Sequence, residues 1–193
     1  MQGFVASLAM MTIARGFAFI VTSGAPVRVE GDALSNLVRR DFAYPVILIV
    51  LAFVVIFWIV QRYTTYGRII IAIGSNRTAV ELAGIRVKGY LHSAYILSGV
   101  LAAVSGIFFS ARTSTGSPTI GTGVELTAIA ACVIGGASLA GGRGSVVKTI
   151  LGALILALIG NLMNLRGVGA YTQNIVLGVL IAAAVLLQGV RKN

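Results

Sequence analysis

The part of this sequence that comes nearest to a nucleotide-binding motif is the glycine-rich run VIGGASLAGGRGSV at residues 133–146. Glycine-rich loops can hold phosphates through their backbone N–H groups. A P-loop, however, needs a lysine and a serine or threonine directly after its last glycine, and a strand before its first. Here Lys148 follows two valines, and no strand pattern precedes the glycines. We therefore predict no phosphate site in this run.

No other group of residues predicts catalysis or metal binding. His92 has no Cys, Asp or Glu at ligand spacing, so no metal site is expected. Cys132, the single cysteine, lies within an apolar run and is interpreted as a packing residue. No nucleophile, base and orienting residue can be assembled. We expect no enzymatic activity and no cofactor bound by this chain.

The composition instead indicates a membrane protein. Hydrophobic residues make up 58% of the chain and charged residues only 10%, with a mean hydropathy of +0.97. A net charge of +10 would also suit a nucleic-acid-binding protein. The Lys and Arg residues are, however, scattered between apolar runs and form no stripe with aromatic residues. We expect contact with membrane lipid and none with nucleic acid.

The apolar runs predict an all-α, polytopic membrane protein with a single transmembrane domain over residues 1–193. They are too long and too rich in Leu, Ala and Gly for strands. Windows of spanning length mark about six transmembrane helices, at residues 3–23, 44–61, 92–111, 124–139, 147–164 and 172–188. The run at 124–139 is short, so it either crosses with flanking residues or re-enters. The first run lacks the features of a signal peptide and is expected to stay in the mature protein.

Basic residues concentrate on alternate spacers, which the positive-inside rule assigns to the cytoplasm. On that side Glu81 is the single acid, whereas the opposite spacers are nearly balanced. We therefore expect a cytoplasmic segment at residues 62–91 and a cytoplasmic carboxyl terminus. The basic residues of the cytoplasmic side are Arg62, Arg68, Arg77, Arg86, Lys88, Arg143, Lys148, Arg191 and Lys192.

The segment at residues 62–91 contains signals for a short helix. Asn76, like Ser75 before it, is a good N-cap residue, Thr78 and Glu81 have capping-box spacing, and Gly84 suits a left-handed C′ position. A helix of about two turns is not stable alone in water. Either the chain's own transmembrane helices or the groove of a second protein must pack against it; the alternative is an amphipathic connector on the membrane surface.

Three stretches resemble the permease subunits of bacterial ATP-binding-cassette (ABC) sugar importers of the ribose type, in the branched-chain amino-acid permease superfamily. They are TIARGFAFIVTSG at residues 12–24, YGRIIIAIGSNRTAVELAGIRVK at 66–88, and GTGVELTAIAACVIGGASLAGGRGSV at 121–146. The resemblance covers most of the chain. The chain resembles the carboxyl-terminal part of such a permease, which has about ten transmembrane helices. The chain therefore looks amino-terminally truncated.

The resemblance implies a coupling helix that sits in a groove on an ABC ATPase subunit. It also implies an extracytoplasmic solute-binding protein, a second permease copy or paralogue, and a place in the bacterial inner membrane. ATP and Mg would be bound by the partner ATPase. The residues that match the coupling helix are Asn76, Arg77, Thr78, Ala79, Val80, Glu81, Leu82, Ala83, Gly84 and Ile85.

The resemblance implies import of a simple sugar, such as ribose or a related monosaccharide. Two departures stand out: family members usually have acids where this chain has Arg77 and Thr78, and often an aspartate at Thr127. A branched-chain amino-acid permease and a truncated, non-transporting fragment of a sugar permease remain alternatives. A secondary transporter or channel is disfavoured, because the interior offers only Arg15 and amides for ion coupling.

Five residues are candidates for the solute pathway or for helix packing. Gly135 and Gly136 either allow two helices to approach closely or unwind a helix beside the path or towards the ATPase. Asn161 and Asn164 share a helix face and either hydrogen-bond between helices or face a hydrated pore. Thr127 is the fifth candidate, near the outer mouth of the fourth helix.

Overall fold

A computed structural model describes residues 3–28 and 43–190, and within these ranges the chain is almost entirely helical. Two strands of two residues each, β1 (Val27–Arg28) and β2 (Thr115–Gly116), pair antiparallel. The predicted all-α fold class is confirmed. The helices of the described chain are α1 (Gly3–Thr22), α2 (Ala43–Tyr63), α3 (Thr65–Ser75), α4 (Arg77–Leu82), α5 (Val87–Thr113), α6 (Val124–Ile134), α7 (Val146–Leu165) and α8 (Ala170–Val190).

Four of the described helices, α1, α2, α5 and α7, are long and apolar enough to cross a membrane, judged by length and composition. The helix α6 and the first part of α8 are apolar but shorter. The described residues bury little of the four long helices: no residue in the apolar windows of α1 and α2 is buried. Uncovered apolar helices of this length belong in lipid or against further membrane helices. The chain is a helical, multi-pass membrane protein.

Contacts divide the chain into two compact units, Met1–Ile49 with Leu97–Thr122, and Val50–Ile96 with Gly123–Asn193. In the first unit β1 pairs with β2, and Val27 lies opposite Gly116. A two-residue strand leaves no alternation to detect in a sequence, which is why this pair was not predicted. The charged spacer at 29–42 and the terminal Arg191 and Lys192, on which part of the charge count depends, lie outside the described residues.

The second unit contains two small hydrophobic clusters. One joins α3, α4 and the start of α5 around Ile73, Val80 and Val87. The other joins α6, α7 and α8 around Ala130, Ala131 and Leu156. The helix α6 has eleven residues, which makes it about 16 Å long at about 1.5 Å per residue. By itself it is therefore too short to cross a hydrocarbon core of about 30 Å.

Candidate functional site

The short helix expected in the segment at 62–91 is present as α4, and one asparagine separates it from α3. Asn76 is the C-cap of α3, where its N–H donates to the Ala72 carbonyl at 2.9 Å. It is also the N-cap of α4, where its Oδ1 accepts from the Ala79 N–H at 3.0 Å. Asparagine suits this position because its short side chain satisfies one of the free N–H groups of a first helical turn.

The end of α4 is fixed by Gly84, as the sequence predicts. Its φ is +80°, and its N–H donates to the Glu81 carbonyl at 3.0 Å. The next residue, Ile85, donates to the Val80 carbonyl at 3.3 Å. These two bonds form a Schellman motif, in which glycine avoids the steric penalty of a left-handed residue.

The predicted capping box between Thr78 and Glu81 is wrong. The N-cap is Asn76, so the third helical position is Ala79 and the carboxylate of Glu81 lies beyond the reach of a cap. Glu81 instead accepts a hydrogen bond from Nε of Arg77 at 2.9 Å, one turn earlier on the same exposed face. Such exposed pairs at i and i+4 stabilise a helix by about 0.3–0.5 kcal/mol.

The chain itself packs against one face of α4. Val80 is buried against Ile73 of α3 and Val87 of α5, and Ile85 joins the same cluster. Tyr66 at the start of α3 secures this arrangement, because its hydroxyl and the Ser93 hydroxyl of α5 are hydrogen-bonded at 2.7 Å. The expectation that something must cover so short a helix is therefore met by α3 and α5.

None of the described residues covers the opposite face of α4. Leu82 is 85% exposed, the most open of the large apolar side chains of α4 and its neighbours α3 and α5. Two positions along a helix are about 200° apart, so Leu82 points away from the buried Val80. The exposed flanking residues are Arg77, Thr78, Ala79, Glu81, Ala83 and Gly84.

The glycine loop (residues 135–145, between α6 and α7) lies directly against the last turn of α3. A Cβ added to Gly74 would overlap the backbone N of Gly142. One added to Gly142 would lie 2.7 Å from the Cα of Ser75, and one added to Gly141 would lie 2.7 Å from the carbonyl oxygen of Gly74. Three glycines therefore let two backbones touch, one residue before the cap of α4.

A glutamine that the sequence analysis did not single out ties the glycine loop to the end of α2. The Nε2 of Gln61 donates to the Gly144 carbonyl at 2.9 Å, and its Oε1 accepts from the Val146 N–H at 2.9 Å. Val146 is the first residue of α7, and the N-cap Ser145 makes no capping bond with its side chain. Gln61 therefore supplies the cap that α7 lacks locally.

The helices α6 and α7 approach closely enough for their backbones to meet. Gly135 is buried, and an added Cβ would lie 2.5 Å from the Lys148 carbonyl oxygen. At Gly152 an added Cβ would overlap the Ala131 carbonyl oxygen. At Gly135, then, the two backbones are in close contact. Gly136 has a different role: with φ +84° it ends α6 in a Schellman motif.

A cavity of about 400 Å³ lies among α6, α7 and α8 in the second unit. Its lining is mainly apolar, from residues such as Leu156 and Leu177, and its polar groups come from Thr127, Gln173 and Asn174. The Thr127 hydroxyl donates to the Gly123 carbonyl at 3.1 Å, one turn back on the same helix. Of the five candidate pathway residues, Thr127 is the one that lines this cavity.

Asn164 joins two helices. Its Oδ1 accepts from Nε2 of Gln173 at 2.7 Å, which links the end of α7 to α8. That bond matches the interhelical alternative for this residue. Asn161 is exposed on α7 and does not line the cavity. The structure therefore does not bring Asn161, Asn164 and Thr127 together at one site.

The helical, multi-pass architecture agrees with what comparison with known proteins shows. The family of permease components of branched-chain amino acid transport systems matches residues 1–185. The chain belongs to this family of ABC-transporter membrane permeases.

Curated relatives of this chain include several sugar permeases. It is 42% identical to the ribose import permease protein RbsC of Escherichia coli (strain K12) over 96% of its own length and 60% of the relative's. The chain is 40% identical to the RbsC of Bacillus subtilis (strain 168), over 97% of its own length and 59% of the relative's. It is 36% identical to the L-arabinose transport system permease protein AraH of Escherichia coli (strain K12), over 96% of its own length and 57% of the relative's. The chain thus spans about 60% of the length of these relatives. No solved structure matches it.

Proposed function

We propose that this chain acts as the permease subunit of an ATP-driven ABC importer for a simple sugar, such as ribose or a related monosaccharide. The relatives named for ribose and L-arabinose transport support the class of solute. The α4 corner supports the ATP-driven mechanism, because it is a rigid helix with an uncovered apolar residue at its tip. The exposure of the Leu82 side chain is the observation that carries this proposal.

Energetics favour a protein partner on this face of α4. Burying a leucine side chain contributes about 1.5–3 kcal/mol, which corresponds to roughly a tenfold to hundredfold gain in affinity. The caps at Asn76 and Gly84 and the cluster around Val80 hold Leu82 in place beforehand. A preorganised contact avoids the cost of ordering the helix on binding.

The partner on this face would be an ABC ATPase subunit that binds ATP and Mg, while this chain performs no hydrolysis. An extracytoplasmic solute-binding protein would deliver the sugar, and a second permease copy or paralogue would complete the pore. The chain would lie in the bacterial inner membrane with residues 62–91 and the carboxyl terminus in the cytoplasm. ATP binding in the partner would shift α4 and thereby the access of the pore.

Replacement of Leu82 by alanine tests the coupling role. Because Leu82 is 85% exposed, we expect the fold of the permease to be unaffected. Removing the buried contact should weaken ATPase binding about tenfold or more and reduce ATP-driven uptake in parallel. Co-purification with the ATPase and uptake into cells that also express the binding protein measure the two effects.

Leu165→Ala is the matched control. Leu165 is 77% exposed at the far end of α7, about 30 Å along the helix from the glycine loop. The Leu165→Ala variant should bind the ATPase and transport solute as the unaltered chain does. If Leu82→Ala also binds and transports normally, α4 is not the ATPase contact.

Competition experiments identify the class of solute. Uptake that an excess of an unlabelled monosaccharide abolishes, and that leucine leaves unchanged, is the expected result. Inhibition by leucine would instead favour the branched-chain amino-acid alternative. ATPase binding without any uptake would favour the non-transporting fragment.

A further inference from the structure

The contact between Gln61 and the glycine loop needs a side chain that donates one hydrogen bond and accepts another, and the carboxamide of Gln61 does both. The Gly144 carbonyl only accepts and the Val146 N–H only donates, and both lie 2.9 Å from the same amide. A planar amide carries one donor group and one acceptor group at the same end of the side chain. These bonds join residues 83 and 85 positions apart in sequence. Gln61 therefore pins the start of α7 to the end of α2.

The glycine loop is connected to both ends of α3. At its beginning, an added Cβ on Gly67 would lie 2.5 Å from the Gln61 carbonyl oxygen, so the backbone of Gln61 rests on the first turn of α3. At its end, Gly74 rests on Gly142 of the loop. Because these contacts are between backbones, no flexible side chain lies between them to absorb a displacement.

The contacts continue from α7 to the cavity. Gly152 of α7 rests on the Ala131 carbonyl of α6, and Ala131 lines the cavity together with Thr127. A movement of α4 would thus reach α3 through Asn76, the glycine loop through Gly74, and the cavity wall through α7 and α6.

We propose that Gln61 is a positioning residue that locks the glycine loop and α7 to the α3–α4 corner, so that movement of α4 is passed to the cavity wall. This inference rests on the proposed coupling function of α4. Without Gln61 the ATPase would still bind α4, but its movement would be transmitted to α7 only in part.

Gln61→Leu in the complete, reconstituted transporter tests this proposal. Leucine preserves much of the side-chain volume and removes both hydrogen bonds. We expect ATPase binding and ATP hydrolysis to persist while the amount of solute transported per ATP hydrolysed falls several-fold. Gln61→Glu, which keeps the acceptor for Val146 and loses the donor to Gly144, should give an intermediate ratio. An unchanged ratio in Gln61→Leu would overturn the inference.

Ser145→Ala is the control that separates this role from ordinary capping. Ser145 occupies the N-cap of α7 but makes no capping bond with its side chain. Replacing Ser145 should leave the transport ratio unchanged, because no side-chain capping bond is lost. If Ser145→Ala lowers the ratio as much as Gln61→Leu does, Gln61 has no special role.

A second measurement covers the case in which Gln61→Leu does not fold. Spin labels on cysteines that replace Ala72, exposed in the last turn of α3, and Leu139, with Cys132 changed to serine, report the distance between the α3–α4 corner and the glycine loop. If the two move as one body, this distance is the same with and without ATP. A distance that changes on ATP binding would overturn the inference. Failure of the unaltered permease to bind the ATPase would instead overturn the proposed function, and the inference with it.

Discussion

The end of α4 and the glycine loop both require glycine, but for different reasons. At Gly84 the requirement is conformational only: φ is +80°, and an added Cβ would meet nothing within 4 Å. At Gly142 the φ is +74° and an added Cβ would also lie 2.7 Å from the Cα of Ser75. One glycine shapes its own turn, and the other makes room for a distant helix. The same residue type therefore marks a local turn in one region and a long-range contact in the other.

Alanine at Gly142 and at Gly84 should separate the two requirements, and Gly142→Ala should have the largest effect. Alanine at either site costs about 1–2 kcal/mol for its left-handed conformation. At Gly142 the overlap with α3 adds about 1–3 kcal/mol, because the nearest atoms are the Cα, Cβ and N of Ser75, which no side-chain rotation can move. We expect Gly142→Ala to lower the free energy of unfolding by about 3 kcal/mol. Denaturation of the purified protein in detergent measures both variants, and equal losses would show that the contact with α3 contributes nothing.

The steric requirement alone can be tested on α7. Gly152→Ala should destabilise the protein by about 2 kcal/mol, because overpacking against the Ala131 carbonyl outweighs the helix propensity gained. Two turns along the same helix, an added Cβ at Gly160 would meet nothing within 4 Å. Gly160→Ala should therefore be neutral or stabilising by up to about 1 kcal/mol. Thermal unfolding of the two variants side by side provides the measurement, and a loss at Gly160 equal to that at Gly152 would contradict the close approach of α6 and α7.

The smallest effect is expected at the other end of α4. Asn76→Ala removes the cap of the Ala79 N–H and should cost about 1 kcal/mol, confined to α4. Asn76→Asp keeps an acceptor at the same position and should preserve the helix. Hydrogen exchange of the backbone amides at residues 77–83 measures the local loss. If these amides exchanged as fast in Asn76→Asp as in Asn76→Ala, the side-chain cap would not be what stabilises α4.

The features that could be predicted from the sequence are those whose causes are local. Long apolar runs predict helices, and Asn76 and Gly84 mark the two ends of α4 because each satisfies backbone groups within a few residues. The capping box failed because its spacing fitted Thr78 and Glu81 as well, while the real cap begins two residues earlier. The sequence pattern alone did not show whether the helix is capped by Asn76 or by Thr78.

Gln61 and the glycine loop show what the sequence could not provide. The glycine-rich run indicates a close approach of backbones, yet nothing in it shows that Gly142 meets α3 while Gly135 meets α7. Gln61 stands at the end of an apolar run and reads as an ordinary boundary residue. Its partners are 83 and 85 positions away, so only the folded chain brings them together. The sequence offered one sign of this role: Gln61 is an uncharged amide at the end of a membrane helix, where charged residues are common.

Asn76 also determines how freely α4 can turn. It is the one residue that separates α3 from α4, with φ −152° and ψ 95°. Two dihedral angles thus set the angle between the helices, and the caps on both sides restrict each of them. A swivel of α4 would have to break the bond to Ala72 or the bond to Ala79. The angle between α3 and α4 is therefore fixed, so a displacement of α4 would move α3 with it as one rigid unit.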